Sequence, residues 1–334
     1  MADTYKKLVA TSFSTDFREA AEIVEEEIPD PAPHDVLVRN RYAAVNATDV
    51  NISAGRYELG ADLPLDLGVE ASGIVVAVGD AVQQFAPGDA VVTSTLGGGY
   101  REYHVVHESN AIKVPEPSPE VLSIMVSGLT ASIALSEVGN LRHNETVLVT
   151  AAAGGTGQYA VQLAEDAGNH VVGTCSTEEK AAFLSDLGCD RPIMYTEEDV
   201  DAVLSDEYPE GLDLVYEGVG GPLFDTCVAH LARHGRLLSI GYVSEYEDGP
   251  EAVTAERIYT SLISKSASIH GFFLPHFAEY FGTHVKKLMR MQRSGALDVL
   301  IDDQVFEGVA AVPDAVDYLQ SGASMGKVVV RFSE

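Results

Sequence analysis

The sequence predicts an α/β chain of two domains, one mostly β and barrel-like, the other built on a doubly wound parallel sheet. Three observations carry that expectation. Up to about residue 118, short β-type runs are separated by Gly, Pro and Asp; beyond it, strands alternate with helix-length apolar segments. The third is a glycine-rich turn, Ala151-Ala152-Ala153-Gly154-Gly155-Thr156-Gly157, lying between a strand and a helix. At 334 residues and 46% hydrophobic content, the chain suits two domains and can bury its cores without disulfides or structural metals.

In chain order, 36–38, 73–78 and 90–93 read as strands, because their β-branched runs are closed by turn signals at 29–33, Gly79-Asp80 and Pro87-Gly88-Asp89. Residues 121–135 are apolar and helix-like, and 146–150 form a short buried strand. After the glycine-rich turn come a helix over 158–167 and a strand over 170–174. Further strands are predicted at 212–216, 236–240 and 268–271, which implies parallel βαβ units. A helix at 280–294 and a last strand at 327–332 read as a return to the first domain. The expected limits are therefore 1–119 with 276–334, and 120–275.

Fifty-one acidic residues face 21 basic ones, a formal net charge of −30. Nucleic acids and anionic membranes both recruit Lys and Arg, so neither is an expected partner. The carboxylates are dispersed (Glu25-Glu26-Glu27, Glu178-Glu179, Glu197-Glu198-Asp199), which predicts a solvated acidic shell. Such a shell suits a high-salt cytosol, where screening suppresses self-repulsion. No run of eighteen apolar residues argues for a membrane span, and residues 1–7 lack a signal peptide's apolar stretch, so the cytoplasm is expected. Cys175, Cys189 and Cys227 form no CxxC pair and read as small core residues in a reducing compartment.

The turn at 151–157 reads as a dinucleotide loop. Gly154 and Gly155 let the backbone approach a pyrophosphate, Gly157 lets the following helix pack on the sheet, and the helix's positive end holds the anion. A bare strand–helix turn is the plainer reading, and the flanking βαβ unit makes it the weaker one. Where a fold using NAD places an acidic residue, this chain has Thr174-Cys175-Ser176-Thr177 followed by Lys180. A hydroxyl and a lysine suit a 2′-phosphate, so NADPH is expected over NADH.

These motifs resemble the quinone oxidoreductase branch of the medium-chain dehydrogenase/reductase superfamily, and within it the prostaglandin reductase 3-like proteins. The similarity runs over nearly the whole chain. It includes Leu37-Val38-Arg39-Asn40-Arg41, Val45-Asn46-Ala47-Thr48-Asp49-Val50-Asn51 with Arg56-Tyr57, residues 150–164 and 173–180, and Gly271-Phe272-Phe273-Leu274. The resemblance implies a GroES-like catalytic domain, a Rossmann domain, and NADPH and substrate held in a cleft between them. It places Ala153 to Gly157, Thr156 above all, at the pyrophosphate, and Ser176, Lys180 and Tyr195 around the 2′-phosphate. Ile240 and Tyr246 fall on the nicotinamide side, with Phe272, Phe273 and Leu274 lining the cofactor. Gly218 and Ser324 stand at two further contacts where the family usually has serine and asparagine. Related enzymes form homodimers by extending the Rossmann sheet, and the same is expected here.

Zinc enzymes of the superfamily carry a cysteine in the loop that here reads Val45-Asn46-Ala47-Thr48-Asp49, and Gly-His-Glu where this chain has Gly68-Val69-Glu70. Asn46 and Val69 cannot replace a thiolate and an imidazole. His104 and His107 lack a third convergent ligand and read as strand-surface residues, so no metal is expected. Without a Lewis acid, ketone reduction lacks strong stabilisation of the alkoxide. Reduction of an activated C=C bond fits better, with hydride delivered from NADPH to the β-carbon and the enolate oxygen accepting hydrogen bonds. Tyr246, by similarity to the Ile-Ser-x-Tyr loop of prostaglandin reductases, is the first candidate donor. Tyr57 and Asn46 come second, with nicotinamide orientation or plain packing as their competing roles. A quinone reductase is the alternative reading; a metal-dependent alcohol dehydrogenase and a non-catalytic NADPH-binding protein are weaker ones.

Overall fold

The β-branched runs of the first third fold into two sheets. In one, β1 (Thr4–Ala10) is flanked by β2 (Ala21–Glu27) and β4 (Leu65–Asp66). The other runs β15 (Phe306–Glu307), β16 (Val329–Arg331), β3 (Asp35–Ala44), β5 (Glu70–Val78), β6 (Ala90–Ser94) and β8 (Ala111–Val114), with β7 (Tyr103–His107) also pairing with β3. Alternate residues of a strand share a face. Val36 and Val38 of β3 accordingly meet Val75, Val91 and Val106 in a buried core. The predicted strands at 36–38, 73–78 and 90–93 lie within β3, β5 and β6. The computed structural model describes all residues except 1–3, 58–61, 248, 250, 251, 254, 255 and 334.

One expectation about this region fails. His104 is not on the strand surface: it is 1% exposed on β7, with Nδ1 2.9 Å from Asn40 Oδ1 and Nε2 3.0 Å from Thr93 Oγ1. Burial pushes its pKa down to about 3, which keeps the ring neutral. His107, two residues on, is exposed as expected.

The later strands build one all-parallel sheet in the order β11 (Arg191–Met194), β10 (His170–Cys175), β9 (Thr146–Val149), β12 (Leu212–Glu217), β13 (Leu231–Ser239) and β14 (Ser268–Gly271). Counted from β9 the order is 3-2-1-4-5-6, the doubly wound arrangement. Strands covered on both faces need near-continuous apolar runs. Leu148, Val172, Ile193, Leu212, Val215 and Leu237 supply them, all at 0% exposure. Each such side chain contributes about 1.5–3 kcal/mol of burial.

The apolar segment around 121–135 forms a helical run from Pro119 to Val138 that twice widens into π-helix, at Ile124–Gly128 and Ala134–Val138. Ser118 caps its start by accepting from Val121 N–H. Its length and mean hydropathy of 1.7 would suffice to cross a membrane, but 72% of the apolar window is buried within the protein, as in a core helix.

The chain divides into two compact units, Met1–Val126 with Leu300–Glu334, and Ser127–Val299. The limits expected from sequence, 119/120 and 275/276, are displaced. Helix Phe281–Ser294, expected with the first domain, belongs to the second unit. There it buries His284, Val285 and Leu288, and Leu288 comes so near Gly128 that a Cβ on the glycine would lie 3.1 Å from Leu288 Cδ1. Only the chain from Leu300 onward returns to the first unit.

Candidate active site

In the second unit, the ends of β9, β10 and β12 are tied together by short-range polar bonds. Thr174 of β10 holds the turn after β9, accepting from Ala151 N–H through its hydroxyl (3.1 Å) and from Ala152 N–H through its carbonyl (3.0 Å). Thr150 bridges to β12: its hydroxyl oxygen accepts from Gly218 N–H at 2.9 Å. Glu217, last residue of β12 and fully buried, accepts from Val219 N–H (2.7 Å) and Gly220 N–H (2.9 Å) through Oε1. Burial raises its pKa, and those two amides oppose the shift. β9 and β12 flank the point where strand order reverses, the place where ligands bind in such sheets.

Ala151 takes a left-handed φ of +46°, bending the chain sharply into the helix Gly157–Asp166. A Cβ at Gly157 would stand 2.4 Å from Ala151 O and 2.5 Å from Ala152 O, so this glycine packs the helix on the turn rather than on the sheet. Thr156 precedes the helix and its side chain makes no capping bond, while Gln158 N–H donates to Gly154 O at 3.1 Å, so the positive end of the helix faces the turn. Around the same strand ends, a Cβ at Gly218 or Gly271 would meet nothing within 4 Å. A dinucleotide fits this arrangement: the positive end of a helix for its pyrophosphate and open space at the glycines.

Ser176, Lys180 and Tyr195 come to one edge of the sheet. Ser176 follows β10, and its carbonyl accepts from Thr196 Oγ1 at 2.8 Å; Tyr195 follows β11 and is 53% exposed. Lys180 sits in the first turn of helix Glu178–Asp186, where its N–H donates to the capping Thr177 hydroxyl, while Glu178 and Glu179 are exposed. Across the sheet, Ile240 N–H donates to Glu217 O at 2.7 Å and Phe272 N–H to Ser239 O at 3.0 Å. Phe272 stacks on Phe277, centroids 4.8 Å apart, and Phe273 meets His276 edge-on, while Leu274 opens a 3-10 turn. Tyr246 is 6% exposed and edge-on to Tyr242 at 5.0 Å. Its hydroxyl lies 3.6 Å from where a Cβ on Gly241 would be, and that same point is 3.3 Å from Gly218 O. Tyr246 thus joins the residues around Gly218. Ser324, by contrast, belongs to the first unit, where it is buried.

The first unit holds a different constellation, buried and made of side chains. Lys327, 2% exposed, places Nζ 2.9 Å from Glu70 Oε1 and also donates to Asn46 Oδ1. Asn46 Nδ2 donates to Glu70 Oε1 (2.9 Å) and Ala44 O (3.3 Å), and Val126 N–H reaches Glu70 Oε2 at 3.0 Å. Asp49, opening helix Ala47–Ser53, accepts on Oδ2 from Asn46 N–H (2.9 Å) and from the Tyr100 hydroxyl (2.7 Å). Asp49 Oδ1 is buried without a hydrogen-bond partner among the described residues. Burial, partly opposed by Tyr100, pushes the Asp49 pKa up to about 7.

The Asn46 carboxamide is engaged by Ala44, Glu70 and Lys327, an arrangement in line with the packing role that competes with substrate contact. Tyr57 stands in a separate group, its oxygen accepting from Asn51 Nδ2 (3.1 Å) and Thr48 Oγ1 (3.4 Å). An ammonium sits on the buried Glu70 carboxylate, and Val69 offers no donor to a metal. Sequence reasoning missed Glu70, Asp49 and Lys327 as a unit. Glu70 and Asp49 lay inside motifs that give neither a role of its own, and Lys327 joins them through a contact 281 positions from Asn46.

Comparison with known proteins covers both units. The family model for zinc-binding dehydrogenases matches residues 155–291, and that for the alcohol dehydrogenase GroES-like domain matches 32–116. Prostaglandin reductase-3 of Mus musculus is 46% identical over 98% of this chain and 89% of its own length. A probable quinone oxidoreductase of Leishmania amazonensis is 42% identical over 98% of this chain and 97% of its own. Among solved structures, Escherichia coli quinone oxidoreductase complexed with NADPH aligns with TM-score 0.86 at 28% identity, covering 98% of this chain and 99% of that one.

Proposed function

The chain belongs to the medium-chain dehydrogenase/reductase family, among prostaglandin reductase-3 and quinone oxidoreductase proteins, and on that premise we propose that it reduces activated carbon–carbon double bonds with NADPH. The observation that carries the reading is the Tyr246 hydroxyl, buried beside Gly241 and Gly218 at the strand ends where the sheet order reverses. NADPH, when bound, supplies a hydride. The glycine turn and the positive end of the helix that follows it hold its pyrophosphate, and Ser176, Lys180 and Tyr195 take the 2′-phosphate. Ile240, Phe272, Phe273 and Leu274 form an apolar wall that excludes water. Tyr246 donates a hydrogen bond to the enone oxygen and stabilises the charge that develops there. Such a positioned donor is worth about 10²–10³ in rate. Solvent protonates the α-carbon. Tyr57 is the second donor candidate.

The test is loss of reduced-nicotinamide absorbance with a panel of α,β-unsaturated ketones and quinones, run with NADPH, with NADH and with EDTA. Enone-dependent turnover that prefers NADPH and ignores EDTA is expected. Turnover with quinones alone would favour the second reading, which the name of the Leishmania amazonensis relative supports. Silence on every acceptor would refute both.

Two further properties go with this reading. The exposed edge strand β14, with Tyr259 (56% exposed) and Ile263 (77%) on the preceding helix, suits a homodimer formed by extending the sheet, which sedimentation equilibrium decides. A net charge of −30 suits a cytosol of high salt. The unfolding temperature should then rise from dilute buffer to multimolar KCl, and equal stability in both would remove the idea.

A further inference from the structure

In the first unit, a bulge in β3 aims an arginine into a groove that none of the candidate active-site residues lines. Asn40 pairs with Gly73 and Tyr42 with Ser72, so Arg41 is the extra residue of a β-bulge, a device that turns a side chain out of the regular alternation. Arg331 stands opposite Tyr42 on β16, and Phe332 N–H donates to Arg41 O at 2.8 Å. Together with Ile74 and Pro117, these residues line a groove of about 260 Å³.

The two arginines are unusual in so acidic a chain. Arg18, Arg101, Arg191 and Arg236 each sit on a carboxylate. Neither groove arginine makes an ion pair among the described residues, although Glu307 is the register partner of Arg331 on β15. Arg41 Nη1 is buried with no acceptor within reach among the described residues. Buried donors of this kind are rarely left unmatched, and a charged one least of all.

We propose that this groove is a binding site for a small phosphate monoester with an apolar body. Two guanidinium groups suit a dianion, each able to grip it through paired N–H bonds. Tyr42, Phe332, Ile74 and Pro117 supply apolar walls for the rest of the molecule. The volume falls just below the usual range for small-molecule sites, about 300–1,000 Å³, which admits a fragment-sized anion and excludes a dinucleotide.

Phenyl phosphate is the probe, titrated calorimetrically into the full chain saturated with NADPH, at constant ionic strength. Saturable binding is expected, with Arg41→Met and Arg331→Met each weakening it by about tenfold or more. Arg41→Lys, which keeps the charge but loses the paired geometry, should fall between wild type and Arg41→Met. Turnover of any enone should stay unchanged in all three, which also reports that they fold. Benzoate and inorganic phosphate, run alongside, should bind more weakly, the first lacking the dianion and the second the apolar body. No binding by the wild type, or equal binding by the Arg41→Met/Arg331→Met double variant, would overturn the proposal. Because the readout is binding in this groove, its failure would leave the reductase reading standing.

Discussion

The two units make their polar centres from opposite materials. The turn after β9 is mainly backbone: a left-handed Ala151, a glycine that packs a helix on two carbonyls, and a helix end without a side-chain cap. The cluster around Lys327 is side chain, with a buried ammonium, two buried carboxylates, a carboxamide and a phenol. A site built from backbone offers amides whatever the pH. One built from buried side chains depends on every charge finding its counterpart. The first kind leaves a compact sequence signature, and the second is scattered over positions 46, 49, 70, 100 and 327.

The largest effect should follow from removing the cation of the side-chain cluster. Lys327→Met leaves Glu70 charged at 0% exposure, and losing one partner of a buried pair costs about 3–5 kcal/mol. Urea unfolding should show that loss, and Lys327→Arg should recover a part of it. A wild-type midpoint in Lys327→Met would mean the pair does not hold this unit together.

The next effect is a pH dependence carried by Asp49. Its pKa is raised from an ordinary 3.8 to about 7 in the folded state, so the unfolded chain releases this proton first as pH rises. Its contribution to stability is therefore full below about pH 4 and lost as pH rises through about 7. The span corresponds to at most about 4 kcal/mol. Asp49→Asn keeps an acceptor for Tyr100 and should flatten stability over that window; an unchanged slope would place the titration elsewhere.

The smallest effect on stability, and the most specific on rate, belongs to the second unit. Tyr246→Phe should lower kcat/KM for an enone by about a hundredfold, roughly 2.7 kcal/mol at the transition state. NADPH affinity should move by less than about threefold, because the phenol acts on substrate. A parallel fall in NADPH affinity would assign Tyr246 to cofactor packing instead.

The parallel sheet was legible because its apolar strands and glycine turn are local signals: 268–271 is β14 as read, and 170–174 is all but the last residue of β10. Strands β1 and β2 were not. β1 carries Lys6 and Lys7, and Lys7 is buried only because Glu26 and Asp66 receive it at 2.6 and 2.8 Å. A charge neutralised by residues far away in sequence gives no periodicity to read. The same reason hid the role of Glu70 and misplaced His104, whose partners Asn40 and Thr93 come from β3 and β6. Helix Phe281–Ser294 was assigned to the wrong unit because amphipathicity says that a face is buried without saying against what.

The return of the chain from Leu300 into the first unit also sets an order of events during synthesis. Residues of the second unit are contiguous and can close their sheet as soon as Val299 has left the ribosome, since domains fold as units while the chain grows. The first unit, begun earlier, must wait. Glu70 emerges into water long before Lys327, and β16, which pairs with β3, is made only after the whole of the second unit. Until then the nascent first unit holds an open sheet edge and an uncompensated carboxylate, so the N-terminal part of this chain is the last to mature and the part most in need of a chaperone.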